Sequence, residues 1–317
     1  KPDQQKDDVS QFILGCSKGD KRMKKSLAFR IFNVFNYGFF TLVMTLCLIP
    51  VLHVIFASLS DPQWVIAQQG LIWRIKGLNL NGYKLVFQNR SLLLSYGNTI
   101  FYVLVSTALG MLITVMAAYA LSRKEFLLRN VIMFLITFTM LFSGGIIPLY
   151  LVVTQTLGWH DSRLAMIFPA CVSAFNLIIV RTAIAGVPQS LEESARIDGA
   201  GRFTILFRII VPLIKPTMAT IILYYAVGHW NAWFHASIFL TTRDKFPLQL
   251  VLKEILVSGD LSSNTTVSSA DFAGDTILYK QIIKYCTIVL SSAPIFAFYP
   301  FIQKYFESGV MVGAVKG

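Results

Sequence analysis

Glu192, Glu193, Arg196 and Asp198 fall within seven residues of one another in a chain that is otherwise mostly apolar. They belong to the run SLEESARIDGAGRFTILFRIIVPLIKP, Ser190 to Pro216. Carboxylates beside small side chains and glycines can bind a basic surface; they do not by themselves make or break bonds. The motifs that would do chemistry are missing from the sequence. No G-x-x-x-x-G-K-[ST] run offers backbone amides to a phosphate, and no H-E-x-x-H pair offers zinc ligands. His229 and His235 are six apart, which puts them on different helix faces and argues against a shared metal. This chain is therefore expected to bind no cofactor.

A second set of polar groups lies inside apolar runs, where ionisable and amide side chains are functional candidates by default. Asn98 and Tyr102 are spaced i,i+4, Asn176 stands alone, and the run GHWNAWFHAS supplies Asn231, Trp233 and His235. Aromatic faces with amide and hydroxyl hydrogen-bonding groups suit a sugar. The same residue types also glue helices together in lipid, so packing remains open for each. Lys280 and Lys284 lie at the outer end of an apolar run, where they either reach headgroups or attract an acidic sugar.

The elements that must hold these groups follow from composition. The 317 residues are 55% apolar and 14% charged, against about 25% charge in a soluble domain. A transmembrane helix needs about 20 apolar residues. Six runs qualify, at 31–59, 92–121, 131–153, 164–184, 217–240 and 281–301. The expected fold class is all-α: a polytopic membrane protein with six transmembrane helices. Placing the N-terminus inside puts 18 of the 28 Lys and Arg on inner segments, so both termini and Ser190–Pro216 are expected to be cytoplasmic. The net charge of +12 sits at the ends of apolar runs rather than on a soluble basic module, which argues against nucleic acid. Ser143-Gly144-Gly145 is expected to bend the third span. The outer segment 241–280 reads as a mobile loop and contains a glycosylation tripeptide at Asn264. Cys16, Cys47, Cys171 and Cys286 are far apart, with no C-x-x-C, and read as buried structural thiols. The stretch FILGC at Phe12–Cys16 lacks the apolar region of a secretory signal.

Within the charged run, Ser190 followed by Glu193 has the form of a capping box, so a helix is expected from Leu191. Glu192 and Arg196 form an i,i+4 pair. Gly199 is expected to end the helix, and a second begins near Arg202. Ser194 and Ala195 are small enough for another surface to approach, and Glu192, Glu193 and Asp198 face it with negative charge. Rest on an anionic lipid leaflet suits three carboxylates poorly.

These residues resemble the permeases of ATP-binding-cassette (ABC) importers, whose cytoplasmic pattern is E-A-A-x3-G-x9-I-x-L-P. Here Glu193, Ser194, Ala195, Gly199, Ile209, Val211 and Pro212 keep every spacing. The tail, with Gly309, Gly313, Val315, Lys316 and Gly317, is similar to that of the carbohydrate branch, and FSGGIIPLYLVV (Phe142–Val153) to its complex-oligosaccharide group. The resemblance implies a MetI-like type I importer permease fold. It divides the chain into an arm at 1–30, a transmembrane domain at 31–317, a coupling segment at 190–212 and a tail at 303–317. It implies that Glu192, Glu193, Ser194, Ala195, Arg196, Asp198 and Gly199 engage an ATPase dimer, and that Gly313, Lys316 and Gly317 reach it. It implies a second permease, an extracytoplasmic solute-binding protein and an oligosaccharide substrate, moved across a bacterial inner membrane by alternating access. ATP and Mg would be bound by the partner subunits. Three alternatives stand beside it. One is an importer of peptides or amino acids. A second is an intramembrane enzyme pairing Ser143 with His229 or His235, and a third is a secondary transporter that has no ATPase.

Overall fold

The computed structural model describes residues 27–68, 70–258 and 276–314, with side chains over 29–68, 70–257, 281–300 and at Gln303. Every regular element among these residues is helical. The chain divides into two units, residues 1–53 and 54–317. The described part of the first is the start of helix α1 (Leu27–Leu59); over this start, most apolar side chains are exposed. An apolar helix without a buried stripe belongs in lipid rather than water.

The second unit is organised around α2 (Arg90–Ser122). Asn89 caps it by accepting from the amides of Ser91 at 3.0 Å and Leu92 at 3.2 Å. The helix has 33 residues. At about 1.5 Å per residue that is a length of roughly 50 Å, more than the ~30 Å hydrocarbon core of a bilayer. Small and polar residues (Ser95, Thr99, Ser106, Gly110, Thr114) line its buried side, where they let neighbours approach. Those neighbours are α4 (Ala174–Ala185) and α6 (Lys215–Trp230). Tyr225 on α6 joins all three: its hydroxyl pairs with Thr114 Oγ1 at 2.7 Å and accepts from the Ser173 amide at 3.0 Å. Below them Val115, Ala118, Val180, Ile184, Ile205 and Ile210 form the main apolar core.

Gly110 marks the closest approach. A methyl group there would overlap the Cys171 carbonyl oxygen, a backbone atom that cannot rotate away. Gly97 on the same helix has open space instead. Gly110→Ala is therefore expected to destabilise the protein by about 1–3 kcal/mol. Gly97→Ala should be neutral or gain up to about 1 kcal/mol of helix propensity. Thermal unfolding of the two purified variants distinguishes them.

Among the described residues, three helices are long and apolar enough to cross a membrane: Phe29–Leu59, Arg90–Ser122 and Gln281–Pro300, the last within α9 (Thr276–Ala314). The other three expected spans are not continuous. The third breaks as the sequence suggests: α3 (Arg129–Leu141) ends, Gly145 takes a φ of 81°, and Ile146–Thr156 leaves at 113°. The fourth does not run unbroken from 164 to 184. It is a short helix, Leu164–Ile167, separated from α4 by Pro169 and by Ser173, which caps α4. The fifth stops at Trp230 and resumes as α7 (Trp233–Phe239). The segment 241–280 is not simply a loop. It opens with a tight turn at Arg243–Lys245 and then forms α8 (Leu248–Ser258), whose Leu248, Leu250, Val251 and Ile255 are buried. Through them this helix packs against α2, α7 and α9. Asn264, Cys16, Lys1–Lys25 and the tail residues Lys316 and Gly317 lie outside the described residues. Gly313 falls on the backbone of α9, which continues past the expected end of the sixth span. Of the thiols with described side chains, Cys171 and Cys286 are buried and Cys47 is exposed on α1.

Candidate functional site

The charged run folds into a short helix, α5 (Gln189–Ile197), set at 71° to α4. Its start corrects the expected capping box. Pro188 is the cap residue, and no side chain caps the helix. Proline's fixed φ turns the chain into the helix two residues early, which moves Ser190 inside it. Glu193 is thereby released from any capping duty. The helix ends as expected, at Gly199, which takes a φ of 82°. The Ala200 amide bonds the Ala195 carbonyl at 2.9 Å. This is the closing bond of a glycine C-cap. After Gly201 the chain runs on as Arg202–Leu213, at 89° to α6.

Helix geometry divides α5 into two faces. Glu192 and Ala195 are buried, while Ser190, Glu193, Ser194 and Ile197 form an exposed i, i+3, i+4, i+7 stripe. Two expectations fail here. Ala195 does not admit a second surface, because it packs into the chain's own core with Ile184 and Ile205. Glu192 does not point toward a partner. It is 4% exposed and ion-paired with Arg123 at the end of α2. A carboxylate removed from water must be paired. Arg123, itself stacked 4.5 Å over the Tyr119 ring, supplies the charge. Arg196 adds a bridge to Glu125 at 3.2 Å, and Glu192 lies 4.0 Å from it. Those two carboxylates raise the Arg196 guanidinium pKa still further, the Glu125 hydrogen bond being the main cause. Arg181 donates to the Leu121 carbonyl at 3.0 Å and so satisfies the last turn of α2.

The elbow is thus clamped to α2 by buried charge, while its outer stripe is free. Glu193 and Asp198 are exposed and make no ion pair among the described residues, and Ile197 is 86% exposed. Such an isoleucine contributes about 1.5–3 kcal/mol once covered. Beside the elbow lies an apolar crevice of about 450 Å³ lined by Met116, Phe126, Arg202 and Phe203 among others.

The polar groups of the spans gather at the opposite end of α2. Asn98 donates to the carbonyls of Asp244 at 2.6 Å and Phe246 at 3.2 Å, and accepts from Arg163 at 3.3 Å. Tyr102 donates to the Lys245 carbonyl at 2.9 Å. Both side chains are committed to holding the Arg243–Lys245 turn. Asn176 is buried in the first turn of α4. The other three fall together at the break between α6 and α7. Asn231 is exposed and donates back to the Val227 carbonyl at 3.1 Å, Trp233 is 39% exposed, and His235 is half-buried and stacked on Phe239 at 6.2 Å.

Asp161 organises this end, a role that sequence reasoning missed. It accepts from the Thr241 and Thr242 amides at 2.9 and 3.0 Å and pairs with Lys245 at 2.7 Å. The Lys245 ammonium, with the Thr242 hydroxyl and the two amides, holds its carboxyl well below the usual carboxylate range. The signal is faint: a single Asp in a short polar turn between two apolar runs. Arg123 reads in the sequence only as a topology charge, and its distance of 69 residues from Glu192 hides the pairing.

Comparison with known proteins agrees with this architecture. Residues 110–312 match the family model described as binding-protein-dependent transport system inner membrane component. The chain is 38% identical over 288 residues to the polygalacturonan/rhamnogalacturonan transport system permease protein YtcP of Bacillus subtilis (strain 168), covering 91% of this chain and 99% of that one. It is 29% identical to the arabinooligosaccharides transport system permease protein AraQ of the same organism, over 93% of this chain and 100% of that one. Among solved structures, a chain of a bacterial ABC transporter involved in the import of the acidic polysaccharide alginate superposes with a TM-score of 0.79. That chain is 32% identical, with 89% of this chain and 98% of that one covered.

Proposed function

Since the chain belongs to the binding-protein-dependent transport system inner membrane component family, we propose that it is the permease subunit of an ABC importer for oligosaccharides or polysaccharide fragments, acidic ones included. The elbow carries the reading. A short helix clamped from behind by a buried ion pair, with a free carboxylate and a bare isoleucine in front, is a handle that another subunit can grip. The names of these relatives, all carbohydrate transport components, favour sugar over peptide or amino acid.

In this reading the broken helices each complete one crossing, giving six, with both termini and the elbow on the cytoplasmic side of a bacterial inner membrane. Two separate ATPase subunits bind ATP and Mg and engage Ser190, Glu193, Ser194, Ile197 and Asp198. Glu192, Arg196 and Gly199 hold the elbow rigid so that movement of its front moves α2 and α4 with it. Coupling of this kind is a free energy shared by two sites through an element with two positions. A second permease completes the pore, and a solute-binding protein delivers the sugar outside. The break at Asn231, with Trp233 and His235, offers the sugar its hydrogen-bonding and stacking groups. Asn98 and Tyr102 shape that region from behind.

The test is uptake. The chain, reconstituted in liposomes with its partner permease, ATPases and binding protein, should accumulate trigalacturonate only with ATP and magnesium inside the compartment bearing the elbow. Accumulation without ATP would overturn the reading in favour of a secondary transporter.

A further inference from the structure

Three cations around the Asp161 turn are occupied. Arg163 bonds Asn98, Arg243 bonds Glu254 at 3.0 Å, and Lys245 bonds Asp161. Lys253 is different. It is exposed, it makes no ion pair among the described residues, and its ammonium lies over the Trp233 ring, 5.4 Å from the centroid. The two side chains come from separate elements held firmly in place. Lys253 projects from α8, whose other side is buried through Leu250, Val251 and Ile255. Trp233 is the first residue of α7, directly after the helix break, with its amide bonded to the Asn231 carbonyl at 2.8 Å. Phe234 meets the indole edge-on at 5.6 Å and limits how it can turn.

We propose that Trp233 and Lys253 form a contact selective for uronate residues, the indole carrying the sugar ring and the ammonium carrying its carboxylate. This rests on the sugar-import reading above. A pyranose has an apolar C–H face that lies against an aromatic ring. A uronate adds a carboxylate at the ring's edge. A sugar resting on the exposed part of the indole brings that carboxylate to the ammonium, which is a compact point charge with three donors. A neutral sugar would keep the stacking and lose the charged bond. The cation–π contact holds the ammonium in place before the substrate arrives, so little order remains to be imposed on binding.

The probes are trigalacturonate and its carboxyl-reduced neutral counterpart, taken up by the whole reconstituted complex at sub-saturating concentration. Lys253→Met is expected to lower the ratio of charged to neutral uptake about tenfold, the worth of one charge-assisted bond. Lys253→Arg should recover most of that ratio, and Trp233→Leu should slow both probes. Co-purification of each variant with its partners checks that it has folded. An unchanged ratio in Lys253→Met, or equal slowing of both probes, overturns the contact while leaving sugar import standing. Wild-type uptake of both probes in Trp233→Leu also overturns it. If the wild-type complex accumulates neither probe, the import reading fails first and the contact falls with it.

Discussion

Replacing Glu193 with lysine is expected to abolish substrate-stimulated ATP hydrolysis in the assembled complex. The side chain is exposed, touches no other described charge, and sits in the middle of the stripe formed by Ser190, Ser194 and Ile197. In the proposed reading, reversing it sets a cation against a partner surface expected to receive an anion. Losing one member of a desolvated charge pair at an interface costs about 2–5 kcal/mol, and reversal adds repulsion. A loss of that size lowers coupling by about thirtyfold or more. The permease itself should not notice, because surface substitutions away from packing change stability by no more than about 0.5 kcal/mol. Stimulated hydrolysis and thermal unfolding, measured on the same preparation, check both halves. Full stimulation in Glu193→Lys would remove the residue from the interface.

Glu192→Ala is expected to reach a similar functional loss by a different route. The carboxylate neighbours Glu193 in sequence but faces the other way, into its bond with Arg123. Removing it leaves Arg123 mostly buried, at 18% side-chain exposure, without its counter-charge. Breaking a buried pair from one side typically costs about 3–5 kcal/mol. Here the cost falls on the seat of the elbow rather than on the whole fold, since the core behind it is held by Val180, Ile184 and Ile210. Amides over 189–201 should exchange with solvent markedly faster in Glu192→Ala, and those of α2 should not. Glu192→Gln, which keeps the shape and one hydrogen bond, should fall between. Unchanged exchange over 189–201 would mean that the ion pair does not seat the elbow.

The contrast between these adjacent glutamates bears on what the sequence reveals. The stop at Gly199 is legible, because only a glycine enters that conformation without strain. The bend at Ser143–Gly145 is legible for the same reason. The division of labour between Glu192 and Glu193 is not. Successive helix positions differ by about 100°. Which one faces inward depends on Arg123, a residue brought near only by the fold. The capping box misleads because Pro188 has already started the helix. Hydropathy locates the apolar runs well but passes over the breaks at Pro169–Ser173 and Asn231, where a few non-helical residues hardly change a window average. One of those breaks leaves Trp233 at the start of a helix, with the Lys253 ammonium over its ring. The dual use of Asn98 and Tyr102 is open from sequence, and long-range bonds to the Arg243–Lys245 turn give both a packing role.

The most direct measurement is cross-linking from the bare end of the elbow. Ile197→Cys, in the complete complex, should form a short cross-link to the ATPase subunit, and the yield should fall when Glu193 is also changed to lysine. A cysteine at that position that reacts with impermeant reagents applied from the outer side of the membrane, and never with the ATPase, would contradict the account.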